Sequence, residues 1–250
     1  MRYIILFYVI LFLPFKIFAQ NDTTEILEQK QKTQKISPLV YVIPTAMVSY
    51  GILTRFTPDL QHLDHSIDKQ ISKNIHRQYH FDDYIQFIPY LGIYGLDLCG
   101  VKAKHNLLDR TLVLGTAMIF CTAIVQPTKQ LANITRPDGS NNHSFPSGHT
   151  ATAFLGAHIL FREYKDTSPW IGVAGYGFAF TTATMRMINR KHWLSDVITG
   201  AGVSILCVEL SYLMLTVWHK LFKIKRKSNG LTISPVVSSN FYGIGGIYMF

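Results

Sequence analysis

The chain has 250 residues, 48% of them hydrophobic and only 16% charged, with a formal net charge of +9 and a mean hydropathy of +0.17. That balance leans toward a membrane protein. Its three cysteines, Cys99, Cys121 and Cys207, are odd in number, widely spaced and without nearby His ligands. They exclude a disulfide framework and a zinc site, and read as buried apolar residues. Much of the basic excess is local: Lys220, Lys223, Lys225, Arg226 and Lys227 follow the last apolar run with no aromatic interleaving. That is a juxtamembrane basic patch, and no nucleic-acid partner is expected.

In chain order, residues 1–19 read as a signal peptide or signal anchor: Arg2, an apolar run from Tyr3 to Leu13, and Ala19 closing the segment. Residues 20–83 form a polar lead-in, a weak apolar segment and an amphipathic helix. Pro38–Thr54 is interrupted by Pro44, Thr45, Ser49 and Gly51, so it is expected not to cross a bilayer fully. Leu60, Leu63, Ile67 and Ile71 recur at spacings of three or four, which predicts a helix lying on a surface. Residues 84–228 are expected to form the main helical bundle, from the apolar runs Tyr84–Val101, Thr111–Gln126, Ala151–Phe161, Trp170–Met185 and Trp193–Trp218. Ala151–Phe161 is short against the ~20 residues a spanning helix needs, so a core helix of a soluble bundle is its other reading. Trp170 and Trp193 flank apolar runs as interfacial anchors. In the tail, 229–250, Ser238-Ser239-Asn240 looks like a turn between two β-leaning runs. The fold class expected is therefore all-α: a membrane-embedded bundle of about five or six helices with a small hairpin-like tail.

Positive charge sets the orientation. The cluster at 220–227, with Lys102, Lys104 and Arg110, belongs in the cytoplasm. Alternation then places residues 129–149 and 186–196 together on the periplasmic face of an inner membrane.

Three polar clusters fall on that face. Lys129 and Arg136-Pro137 stand seven apart after an apolar helix, which alone is an ordinary membrane flank. Pro146-Ser147-Gly148-His149 leads into a helical stretch. It reads either as a plain helix start or as backbone N–H groups and the Ser147 hydroxyl holding an anionic oxygen. Arg186, His192 and Asp196 come last. One helical turn separates His192 from Asp196, so the carboxylate can take a hydrogen bond from one imidazole nitrogen and leave the other to attack. Arg190 and Lys191 read as a second phosphate site or as headgroup contacts. Asp138, Asn141, Asn142 and His143 read as solvated loop residues, and His62, His65, His76 and His80 as surface histidines. Phosphoryl transfer needs the parts assembled here: a nucleophile, an acid and fixed positive charge.

These segments resemble the three signature motifs of the type 2 phosphatidic acid phosphatase family, which shares its site with vanadium haloperoxidases and class A acid phosphatases. The family pattern is Lys-x6-Arg-Pro, Pro-Ser-Gly-His and Ser-Arg-x5-His-x3-Asp. Lys129, Arg136 and Pro137, then Pro146 to His149, then Arg186, His192 and Asp196 match it in order and spacing. Met185 stands where the family usually has serine, a change expected to touch binding more than bond breaking. The resemblance implies catalysis by His192, His149 and Asp196 through a phosphohistidine. It implies phosphate binding by Lys129, Arg136, Ser147, Gly148 and Arg186, with no metal and no cofactor. The implied substrate is a phosphorylated membrane lipid, lipid A at its 1- or 4′-phosphate or undecaprenyl diphosphate, with the bilayer itself as the other partner and no protein partner named. The alternatives are a soluble periplasmic acid phosphatase or haloperoxidase, and a non-enzymatic membrane scaffold.

Overall fold

The computed structural model describes residues 39–75, 80–222, 231–238 and 241–248. The leader reading, His76, most of the basic cluster and the turn residues Ser239 and Asn240 lie outside them. Among the described residues eight helices follow one another: α1 (Leu39–Thr54), α2 (Pro58–Asn74), α3 (Asp82–Ile85), α4 (Ile88–Leu98), α5 (Leu107–Ala132), α6 (Gly148–Tyr164), α7 (Pro169–Ile188) and α8 (Leu194–Leu221). Six of them run sixteen residues or longer. The chain divides into two compact units, Met1–Tyr212 and Leu213–Phe250. In the second, β1 (Leu231–Ser238) pairs antiparallel with β2 (Phe241–Tyr248), Leu231 opposite Tyr248 and Ser238 opposite Phe241. The β-leaning tail is a hairpin.

Helix ends follow local chemistry. The Asn106 side chain accepts the Asp109 N–H at 2.8 Å to start α5, and Asn133 ends it in the left-handed region at φ 50°. Pro169, in the first turn, opens α7. α5 and α8 are long and apolar enough to cross a membrane, and the chain is a membrane protein. α1 and α2 meet at a 94° bend, the geometry of a broken span or a re-entrant loop.

α2 is helical as its spacing predicts; Leu63 is exposed, and the residue the helix buries is Asp64. One expectation is corrected along this stretch. The run Tyr84–Val101 is not one helix. A turn at Gln86–Phe87 and Pro89 leave only the eleven-residue α4, ~16 Å long at 1.5 Å per residue.

α6 is the most enclosed helix. Ala153, Phe154 and Ala157 pack with Ala179 and Ala183 of α7 and Val197 and Ala201 of α8. Small side chains allow helices to approach this closely in a membrane bundle. α6 is thus a core helix, of the kind its short apolar run suggested, held inside a membrane bundle. Buried polar groups further along α6 are paired. Glu209 takes both Arg162 and His158, at 2.6–2.7 Å, and Glu163 takes His105 and the Tyr212 hydroxyl. Arg110, expected among the exposed cytoplasmic cations, is buried in the first turn of α5 and paired with Asp97. Of the cysteines, Cys121 and Cys207 are buried as expected, whereas Cys99 is exposed at the end of α4.

The heads of α6 and α8 are in backbone contact. The Ser147 N–H donates to the Asp196 carbonyl at 3.0 Å, and a Cβ on Gly200 would meet the Ser147 carbonyl oxygen at 2.5 Å. Backbone cannot swing aside as a side chain can. Gly200→Ala is therefore expected to destabilise the detergent-solubilised protein by ~1–3 kcal/mol, read as a lower melting temperature. Gly115→Ala, on α5 with open space around it, should leave the melting temperature unchanged. Equal melting for the two variants would contradict the close approach.

Candidate active site

A cavity of about 350 Å³ opens between α5 and α6, lined by Lys129, Arg136, Gly148, His149 and His192, with Gln86 from the α3–α4 turn. The three sequence clusters meet there. Lys129, in the last turn of α5, donates to the carbonyls of Pro146 and His143 at 2.6 and 3.0 Å. It thereby ties the first cluster to the second.

Ser147 is the N-cap of α6. It is wholly buried, its Oγ 2.9 Å from the Thr150 hydroxyl and 3.5 Å from the Thr150 N–H, and it does not line the cavity. Gly148 does line it. His149 follows, its Nε2 2.8 Å from Asp83 Oδ1.

His192 is almost fully buried and precedes α8 rather than sitting inside it. The i, i+4 helical geometry expected for His192 and Asp196 is therefore absent. His192 Nδ1 lies 2.7 Å from the Ser144 carbonyl and 3.7 Å from Asp196 Oδ2. A carbonyl only accepts, so Nδ1 carries the proton and Nε2 keeps its lone pair. Asp196 is close enough to favour a positive imidazole but does not hydrogen bond to it. Its Oδ2 instead accepts from the Ser144 hydroxyl at 2.5 Å and, as the third residue of α8, from the Trp193 N–H at 2.9 Å.

Burial pushes the His192 imidazole down to about 4, with the Lys129 and Arg186 cations adding to the fall and Asp196 opposing it. Burial, then Arg186, also lower the Arg136 guanidinium. Arg186 pairs with Asp82 at 2.8 Å and lies 3.6 Å from Asp83. Arg136 and Arg186 each keep a buried Nε–H without a partner among the described residues. Crowded cations with donors to spare suit an anion.

Several neighbours were not singled out in the sequence. Asp82, Asp83, Ser144 and Arg55 touch the clustered residues, and Asp64 reaches them only through Ser195 and Arg55, yet none belongs to a motif. Arg190 and Lys191 are each paired within the chain. Arg190 forms a two-point pair with Asp68 at 2.8 Å, and Lys191 binds Asp138 at 2.6 Å. Against the upward push of partial burial, Lys191 and Ser140 hold the Asp138 carboxyl at about 2. Asp138 is an ion-pair partner, not a free loop carboxylate. Trp170 is exposed at the start of α7, as an anchor would be. Trp193 is tied inward instead, its Nε1 donating to the Thr135 carbonyl at 2.9 Å and its ring edge-on to His65.

The orphaned guanidinium donors generate a direct test. Orthovanadate or orthophosphate should raise the melting temperature of the protein, and Arg136→Gln should weaken the half-saturating concentration about tenfold or more, the worth of a charge-assisted hydrogen bond. An Arg136→Gln protein that binds either anion as the parent does would remove Arg136 from the cradle.

Comparison with known proteins adds to this geometry. A lipid A 1-phosphatase of Porphyromonas gingivalis is 36% identical over 165 residues, a match covering 63% of this chain and 37% of the relative, so the chain spans little over a third of that relative's length. The crystal structure of LpxE from Aquifex aeolicus aligns with a TM-score of 0.45 and 24% identity, covering 60% of this chain and 95% of that one. The crystal structure of a transmembrane PAP2-type phosphatidylglycerolphosphate phosphatase from Bacillus subtilis aligns with a TM-score of 0.45 and 18% identity, covering 74% and 98%. Residues 110–220, the stretch that holds all three clusters, match the family model described as the PAP2 superfamily.

Proposed function

We propose that this chain is a membrane phosphatase that removes phosphate from a lipid, lipid A first among candidates, through a phosphohistidine on His192. One observation carries the reading. The Ser144 carbonyl fixes the Nδ1 proton of His192, which leaves the Nε2 lone pair as the nucleophile in a cavity shared with Lys129, Arg136 and His149. Nε2 attacks phosphorus, the bond from phosphorus to the lipid oxygen breaks, and His149 gives that oxygen its proton. The imidazole gains positive charge as the N–P bond forms, and Asp196 at 3.7 Å stabilises it. Water, deprotonated by His149, then cleaves the N–P bond and releases phosphate. Lys129, Arg136 and Arg186, with the Gly148 N–H, balance charge on the equatorial oxygens. The Ser147 hydroxyl holds the head of α6 from which that N–H projects. Burial and Arg186 lower the His149 imidazole, and Asp83 opposes that fall in favour of the charged, acidic form. These cations supply the charge a metal would, so activity should persist in EDTA. Lipid A is favoured because the P. gingivalis relative bears that activity in its name.

His192→Ala should cut phosphate release from lipid A by roughly a thousandfold or more while the protein stays folded, and Asp196→Asn should keep a small residue of activity. The pH profile gives a second measure. A lowered pKa means that the neutral, attacking imidazole survives as pH falls, until about 4. The acid limb of kcat/KM set by His192 should therefore lie near pH 4 rather than 6.5. The unfolded chain takes up this proton first, so stability should decline as pH falls from 6.5 to about 4. Near-normal turnover by His192→Ala would sink the mechanism.

The reading also includes a site facing the periplasm from the inner membrane. A re-entrant reading of the bend between α1 and α2 agrees with it, because a segment that turns back leaves the alternation of the later spans as the positive charges set it, whereas a broken span would invert it. In a background without Cys99, Cys121 and Cys207, Ser140→Cys should react with an impermeant thiol reagent on cells with a permeabilised outer membrane, and Ser228→Cys should not. The opposite pattern would turn the site to the cytoplasm.

A further inference from the structure

We propose that α2 clamps the loop bearing His192, with Asp64, Asp68 and Arg55 as positioning residues for the reaction proposed above, on which this inference rests. The loop between α7 and α8 is short, and Arg190 stands in it at φ +54°, a left-handed conformation unfavourable for a residue with a side chain. Such a turn persists only where its surroundings hold it. Asp68 does so through two bonds of 2.8 Å to the Arg190 guanidinium, which also reaches the Pro137 carbonyl at 3.0 Å.

Beyond His192, the buried Asp64 accepts the Ser195 N–H at 3.0 Å and the Ser195 hydroxyl at 2.5 Å. Asp64 and Asp68 are four residues apart on α2 and so share one face. Together they grip the chain two residues before His192 and three residues after it. Arg55, at the bend between α1 and α2, completes the grip. Its Nη2 donates to the Ser195 hydroxyl, lies 3.4 Å from Asp196 Oδ1 and 3.6 Å from Asp64 Oδ2, and its guanidinium covers the Phe145 ring at 4.9 Å. Asp196 thereby has one oxygen turned to Arg55 and the other to Ser144 and Trp193. None of Arg55, Asp64 and Asp68 lines the cavity that holds Lys129, Arg136 and His149. They act on the reaction only through the placement of His192 and Asp196. In-line attack tolerates little error in that placement.

The test uses the full chain in detergent, with Asp64→Ala and Asp68→Ala made separately. One arm follows diethylpyrocarbonate modification of His192 by peptide mass spectrometry, with the exposed His62 as internal reference. The other arm measures kcat and KM on lipid A and inhibition by orthophosphate. A clamp predicts that His192 reacts about tenfold or more faster relative to His62, the effect of losing a hydrogen bond to a charged group. It predicts that kcat falls about tenfold or more while orthophosphate inhibition moves by less than about twofold. Unchanged His192 reactivity, unchanged kcat, or a loss confined to orthophosphate affinity would each overturn it. Should Asp64→Ala fail to fold, Ser195→Ala removes the hydroxyl bond alone and carries the same expectations in milder form. If the parent protein releases no phosphate from lipid A, the proposed function falls, and the His192 reactivity arm still decides whether α2 holds the loop.

Discussion

Asp196 has no exposure to solvent, and a carboxylate taken out of water must find donors for its lone pairs or cost several kcal/mol. Its side chain takes them from three parts of the chain: the Ser144 hydroxyl, the Trp193 N–H and the Arg55 guanidinium, with the His192 ring 3.7 Å away. Its own carbonyl accepts the Ser147 N–H at the head of α6. Satisfying this one residue draws the 144–147 segment, the α1–α2 bend and the His192 loop to a single point. The cavity exists where it does because these segments converge there.

Two kinds of buried charge differ in this bundle, and it is the crowding of cations that marks the cavity. Around α6, Glu209 is matched by Arg162 and His158, and Glu163 by His105 and Tyr212. Those groups hold helices together and leave nothing to offer a ligand. At the cavity, Lys129, Arg136 and Arg186 crowd one another, and two guanidinium Nε–H groups lack partners among the described residues. A phosphate supplies the charge and the acceptors that such an arrangement lacks. The lowered pKa of His192 follows from burial, with the same surplus adding to it, and it keeps the imidazole neutral.

The sequence by itself determined the parts. Their spacing brought Lys129, Arg136, the Pro146–His149 turn, Arg186, His192 and Asp196 into view. Apolar runs foretold most of the long helices, α5 and α8 above all, because span length and hydropathy are properties of a local stretch. The hairpin of the tail was legible for the same reason: alternation and turn residues act over a few positions.

Tertiary structure decided how those parts are held. Helical spacing put Asp196 on His192, yet α8 begins only at Leu194, so the Nδ1 proton goes to the Ser144 carbonyl, a backbone atom that no side-chain pattern reveals. The acids of α2 looked like the wet side of a surface helix until Asp64 met Ser195 and Asp68 met Arg190, across more than 120 residues of chain. Asp82 and Asp83 were hidden for the same reason, since a carboxylate in a motif-free segment shows its role only when the cation it answers is folded against it. Local signals fix elements and reactive groups. Which charge neutralises which, and therefore how a nucleophile is aimed, depends on long-range packing.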